Sequence, residues 1–156
     1  MGSGMRKALA VGLGVLVAIA GIFLLVTADH DRLYDDPKAL GGSANSYSAI
    51  MFVSGRTDEG WSGSVGKLSG VHEVATLHRG EEAPVTVTCR LEVTSGKAKL
   101  VWADPEGNVT TLLEGCAGEE DTLTLTLIMP EGANRFKVAG ADKAACAWRL
   151  ELAGAA

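Results

Sequence analysis

The side chains of this sequence that can do chemistry are few and scattered. Cys89, Cys116 and Cys146 are an odd set. Outside the cytoplasm they are expected to form one disulfide and leave one thiol over. Spacing leaves all three pairings open. Cys116–Cys146 is preferred because it would staple the loop after Leu113 to the last strand. The alternative is three reduced thiols, two of them filling core space as small apolar groups. Zinc is not expected: no CxxC occurs, and His30, His72 and His78 lack ligand spacing. The stretch Gly60-Trp61-Ser62-Gly63-Ser64 misses the nucleophile elbow, since Ser64 stands where glycine is required and no helix follows. Ser64-Val65-Gly66-Lys67 matches S-x-x-K only by letter, because that motif works from a helix in a larger domain.

On one strand His72 and His78 would share a face while Glu73 points the other way, so no His–carboxylate pair forms there. Both read as solvated or edge histidines. Glu119-Glu120-Asp121 and the group Asp104, Glu106 and Asn108 offer loop oxygens of the kind that bind Ca²⁺, without EF-hand spacing. Asp104-Pro105-Glu106-Gly107 is already explained as a β-turn. Asn108-Val109-Thr110 is a glycosylation sequon, of consequence only in a eukaryotic secretory pathway. Trp61, in a Gly/Ser loop, is the candidate ligand contact, whereas Trp102 and Trp148 alternate onto inward faces. Aromatic residues make up only 5% of the chain, few for a sugar-stacking surface. No catalytic set emerges, and neither an enzyme nor a cofactor nor a metal is expected.

The elements that must position these residues divide sharply. Met1–Gly4 read as a vector-derived scar, with Met5 as the natural start. Residues 5–28 read as a membrane anchor. The 20 residues Ala8–Thr27 carry no charge, and as a helix they span about 30 Å, the thickness of a bilayer's hydrocarbon core. Arg6 and Lys7 precede the run, while Asp29, Asp31, Asp35 and Asp36 follow it. That asymmetry places the N-terminus in the cytoplasm and the rest outside. A cleaved signal peptide is the competing reading, with Val26-Thr27-Ala28 as its site, but the run is longer than a usual signal core. Ala10, Gly14 and Ala18 fall on one helix face, a stripe that lets two membrane helices approach. After the run come 14 − 2 = 12 basic and 19 acidic residues, an acidic balance that argues against nucleic acid.

Residues 29–66 read as a stalk and irregular lead-in, with a candidate strand at 47–53 and a Gly/Ser loop at 54–64. From Lys67 the period is two. Val85, Val87, Cys89, Leu91 and Val93 alternate with polar residues, as do Leu123, Leu125, Leu127 and Met129, and then Cys146, Trp148, Leu150 and Leu152. Shorter strands are expected at 72–77, 97–102, 109–113 and 134–139. Ser95-Gly96 reads as a tight hairpin, and Pro130-Glu131-Gly132 and Ala139-Gly140-Ala141-Asp142 as turns. About seven strands at this spacing predict an all-β antiparallel sandwich over 67–153.

The stretch Lys67–Leu152 resembles small membrane-anchored ectodomains of Gram-positive bacteria with a jelly-roll-like sandwich. The resemblance lies in Leu68-Ser69-Gly70, the Thr/Val strand 85–93, Ser95-Gly96-Lys97, Asp104-Pro105-Glu106-Gly107 and the terminal strand 146–152. It implies an envelope location but no residue roles, because the shared positions are turns and strands. The function expected is a non-enzymatic, membrane-tethered extracytoplasmic module, with the bilayer and a protein as its partners. The alternatives are a glycan- or calcium-binding ectodomain, and a subunit that packs through its membrane helix.

Overall fold

The computed structural model describes residues 30–43 and 45–154. The expected scar, the anchor at 8–27 and the stripe Ala10, Gly14 and Ala18 lie outside the described residues. Among those described, no helix is long and apolar enough to cross a membrane. The chain enters through a 3₁₀ turn, Arg32–Asp35, and a short helix α1, Pro37–Gly41. Asp36 caps α1 by accepting from the Lys38 N–H at 2.9 Å, with proline in the first turn where no N–H is needed. Seven antiparallel strands follow: β1 Ser46–Ile50, β2 Val53–Arg56, β3 Trp61–Arg79, β4 Ala83–Ala103, β5 Val109–Cys116, β6 Glu119–Met129 and β7 Gly132–Ala153.

Hydrogen bonding links them in the order β1-β3-β7-β4-β5, with β2 also on β3 and β6 also on β4. Three strands of 19 to 22 residues run through both layers of the sandwich. Each bends midway, where its register shifts: between Val65 and Gly70 on β3, and between Val93 and Lys97 on β4. The first layer joins β2, the start of β3, the end of β7, the start of β4, and β6. The second joins β1, the end of β3, the start of β7, the end of β4, and β5. Inward residues of both layers share one core, which includes Val85, Val87, Leu91, Leu100, Phe136, Val138 and Leu150. Burying each such side chain is worth about 1.5–3 kcal/mol. The expected all-β antiparallel sandwich of seven strands is therefore present.

Its divisions differ from the expected ones. Ser95-Gly96 is not a hairpin but the bend within β4, where the neighbour β7 continues past the kink. Gly96 takes φ +67°, and a Cβ there would fall 2.6 Å from the Ala141 carbonyl oxygen. Only glycine fits that approach. Ala139–Asp142 is likewise the bend within β7, not a turn, and Asp142 and Lys143 have φ of 57° and 55°. The candidate strand 47–53 is broken at Met51, whose φ is +53°. The expected loop 54–64 contributes most of β2 and the start of β3, so the sandwich begins before Lys67.

The described part of the expected stalk is not a stalk. Tyr34, 2% exposed, joins Ala39 and Leu40 in a second apolar cluster with Val71, Val101, Ala139 and Ala141. These strand residues lie on the outer face of the second layer, so the lead-in covers that face. Two lysines are buried beneath it. Lys99 Nζ donates to Asp35 Oδ1 at 2.6 Å and sits 4.3 Å from the Tyr34 ring centroid. Lys137, 0% exposed, donates to the carbonyl oxygens of Ala39, at 2.9 Å, and Gly42. Burial pushes its pKa below the usual lysine range, against the pull of Glu73. Tyr34 Oη donates to Glu114 Oε1 at 2.8 Å, and its pKa is raised by burial first and by that carboxylate second.

Candidate interaction face

Because the lead-in covers the second layer, the free sheet surface is the outer face of the first layer. Its rows follow from the register. Ser62 lies beside Arg149, Arg149 beside Arg90 and Arg90 beside Thr122, while Ser64, Ala147, Glu92 and Glu120 form the next row. Thr88 and Thr124 continue the face, their hydroxyls 3.1 Å apart. Arg90 pairs with Glu120 at 2.7 Å and with Glu92 at 3.8 Å. Arg149 pairs with Glu151 at 2.8 Å and with Glu59. Such exposed pairs add at most about 1 kcal/mol each, so their main effect is to order the surface. A shallow depression of about 190 Å³ lies over Ser62, Arg90, Glu92, Ala147, Trp148 and Arg149.

A second hollow, of about 360 Å³, lies at the acidic corner formed by Glu114, Glu119, Glu120 and Asp121. Each of these carboxylates already has a donor. Glu119 takes the Cys116 N–H at 2.6 Å, Asp121 the Thr122 N–H at 2.8 Å, Glu114 the Tyr34 hydroxyl and Glu120 the Arg90 guanidinium. At the Asp104 turn the carboxylate accepts from the Glu106 and Asn108 N–H groups at 2.9 Å and from Asn108 Nδ2 at 2.7 Å. Burial opposes its ionisation, but these bonds together hold its pKa below the usual carboxylate range. Among the described residues, no group of three or more His, Cys, Asp or Glu is arranged to hold a metal ion.

The expected ligand contact, Trp61, is not a free loop residue. It opens β3 opposite Leu150, on the inward side, and packs half-buried against the core with Arg56 5.4 Å above its ring. Trp148 is buried as expected, and Trp102 packs on the core with Nε1 donating to Asn134 Oδ1 at 3.2 Å. The preferred Cys116–Cys146 bridge is absent, and all three cysteines are free thiols. Cys146 faces Val93 on one edge of β4, and Cys116 faces Lys97 on its other edge. Two strand spacings, about 9.6 Å, separate them across the sheet alone, already beyond the roughly 7 Å that a disulfide spans. Burial pushes the Cys89 thiol up to about 11 and the Cys146 thiol up to about 12. Ser64 and Lys67 stand on a strand, not on the helix that S-x-x-K chemistry needs.

Sequence reasoning missed one cluster. His72 is not solvated: neither ring nitrogen has a hydrogen-bond partner, and both are shut away from solvent. Its ring centroid lies 4.6 Å from Phe52, 5.0 Å from Tyr47 and 6.1 Å from Trp148. Burial pulls its pKa below the usual histidine value, against Glu73. A register shift between Glu73 and Ala75 separates it from exposed His78. Alternation gave no signal of it: Tyr47 and Phe52 are five positions apart, an odd spacing that sets them on opposite faces of a regular strand, and the break at Met51 is what lets both meet His72.

No family model matches the chain, and no curated protein matches it. Several solved structures superpose on it loosely. One is the carbohydrate-binding module of Cellvibrio mixtus lichenase 5A in complex with cellotriose, 17% identical, covering 72% of this chain and 92% of that one with a TM-score of 0.39. A family 29 carbohydrate-binding module complexed with mannohexaose is 13% identical, covering 71% and 84% with a TM-score of 0.40. A family 4 module is 8% identical, covering 76% and 90% with a TM-score of 0.41. At such identities and scores, the likeness says nothing about a ligand or a site in this chain.

Proposed function

We propose that this chain is a non-enzymatic, membrane-tethered extracytoplasmic module that presents the outer face of its first layer to a partner. The observation that carries this reading is the unequal treatment of the two outer faces. The lead-in buries one beneath Tyr34, Ala39 and Leu40. The other is left as an ordered polar surface of five strands. The tether rests on the apolar run 8–27 and its charge flanks, and only Ala28 and Asp29 separate that run from His30. The test is fractionation of the full chain in a bacterial host, followed by protease digestion of intact cells. The expected result is a species that resists alkaline extraction from membranes and is digested from outside. A processed, soluble species beginning at Asp29, after Val26-Thr27-Ala28, would overturn the tether.

The shallow depression favours a second reading, in which the partner is a glycan. Ser62, Arg90, Glu92 and Arg149 surround it with hydroxyl, guanidinium and carboxylate groups, the mixture of donors and acceptors that sugar hydroxyls satisfy. Trp61 takes no part, since its ring is turned inward. Thermal shift with soluble oligosaccharides, on the unmodified chain and on Glu92→Ala, tests it. The idea fails if no sugar raises the melting temperature, or if Glu92→Ala responds as fully as the parent. Calcium finds no support in the acidic corner, whose carboxylates are already engaged. Packing of membrane helices through Ala10, Gly14 and Ala18 is tested separately, by crosslinking in membranes.

A further inference from the structure

Four large apolar side chains stand exposed among the described residues, and three of them are together. Ile50 is 43%, Met51 76% and Val53 68% exposed, all at the junction of β1 and β2. Their exposure is built in. Met51 adopts φ +53°, which breaks the strand and leaves its side chain at the edge, while Phe52 between them turns into the aromatic cluster with Tyr47 and His72. Exposed Lys67 lies directly opposite Ile50.

The position of this edge relative to the start of the domain gives it an occupant. Asp31 is pinned at two points: Ser69 Oγ donates to its Oδ1, and the Asp142 N–H donates to its Oδ2 at 3.3 Å. Ser69 is two positions from Lys67 on β3, about 7 Å along the strand. The apolar run ends at Thr27, four residues before Asp31, a distance the chain spans in at most about 14 Å. With the side-chain bond to Ser69 and one strand spacing to Ile50 included, the apolar edge lies within roughly 30 Å of the end of that run.

We propose that Ile50, Met51 and Val53 rest in the interfacial layer of the bilayer that holds the anchor, so that the domain sits directly on the membrane. This rests on the tether reading above. Apolar side chains enter the boundary between headgroups and acyl chains, while neighbouring lysines reach back to the headgroups. Lys67, exposed and directly opposite Ile50, is placed for that. Seated this way, the domain has few orientations open to it, which fixes where its polar face points.

The test uses the full chain reconstituted in phosphatidylcholine vesicles, in a Cys116→Ser background. An environment-sensitive fluorophore is attached at Met51→Cys or, as a control, at Thr124→Cys on the polar face. At position 51 the expected emission is blue-shifted, quenched by lipids carrying a quencher on the upper acyl chain, and insensitive to iodide. At position 124 the expected behaviour is the reverse. Equal behaviour at the two positions, in a chain that floats with the vesicles, overturns the proposal while leaving the tether intact. Failure of the chain to float overturns the tether itself. A blue shift at 51 that lipid-borne quencher does not touch assigns the edge to a second copy of the chain and overturns contact with the bilayer.

Discussion

The Lys137 ammonium, wholly buried on β7, donates to the Ala39 carbonyl oxygen at 2.9 Å across 98 positions of sequence. With its bond to the Gly42 oxygen it satisfies the last turn of α1, whose carbonyls have no partner within the helix. A buried lysine is costly alone, and here backbone oxygens and the covering lead-in hold it.

Replacing Lys137 with alanine leaves two buried carbonyls short of a donor and opens a void. The expected loss is about 2–4 kcal/mol of unfolding free energy. Lys137→Met fills the void without restoring the donors, and its loss is expected to be smaller. Urea unfolding measures both, and hydrogen exchange should show faster opening at the Leu40 and Gly42 amides, which bond back to Asp36 and Lys38. An alanine variant within about 0.5 kcal/mol of the parent would mean that the lead-in is not fastened through Lys137.

His72 makes the fold sensitive to acid. Its folded pKa lies below the ordinary 6.5 because burial disfavours the charged ring. Below that ordinary value the unfolded chain therefore binds more protons than the folded one. The contribution of neutral His72 is whole above 6.5, and it declines as the pH falls from there toward the folded pKa. The limiting slope for one group is about 1.4 kcal/mol per pH unit. Melting temperatures at pH 7.5 and 5.5, for the parent and for His72→Phe, isolate this term from the carboxylates that both proteins share. The parent is expected to lose more on acidification, and equal losses would dismiss His72 as the sensor.

The thiols should separate cleanly. Cys116 is exposed, while Cys89 and Cys146 are buried with raised pKa values. A thiol reagent at neutral pH is expected to label one cysteine in the folded protein and three after unfolding, because the thiolate reacts and access is needed. Cys116→Ser should leave stability unchanged within about 0.5 kcal/mol. An intact mass lower by two hydrogens, restored by reductant, would instead establish a disulfide.

What the sequence announced was the surface that one strand shows to one core. The alternation from Val85 to Val93 maps residue by residue onto burial, since a strand wet on one face writes its environment into its own letters. Turns and bends were harder to tell apart. Ser95-Gly96 and Ala139–Asp142 have hairpin composition, yet whether such a site reverses the chain or kinks it depends on whether β7 or β4 continues alongside, which is a non-local fact. Lys99 and Lys137 carry no mark of burial in their own strands, and the lead-in is what buries them. The acidic letters around Tyr34 and Leu40 hid the fact that these two side chains seal a sheet. Trp61 read as a loop residue because of its glycine and serine neighbours, yet Ser62, Gly63 and Ser64 belong to β3, paired with β2 on one side and β7 on the other.

Gly96 provides the sharpest test of the bend that makes two layers from continuous strands. Its φ of +67° is in the left-handed region, and a Cβ would stand 2.6 Å from the Ala141 oxygen and 2.7 Å from the Asp142 oxygen. Both atoms are backbone of β7 and neither can swing aside as a flexible side chain would. Gly96→Ala therefore meets two penalties, the conformational one of about 1–2 kcal/mol and the displacement of a central strand. The expected total exceeds about 2 kcal/mol, read as a lower denaturant midpoint with an unchanged slope. Gly118 is the control: its φ is +89°, but a Cβ there meets nothing within 4 Å, so Gly118→Ala should show the conformational penalty alone. If the two variants lose the same stability, the close passage of β7 across the bend contributes nothing, and another interaction holds the layers together.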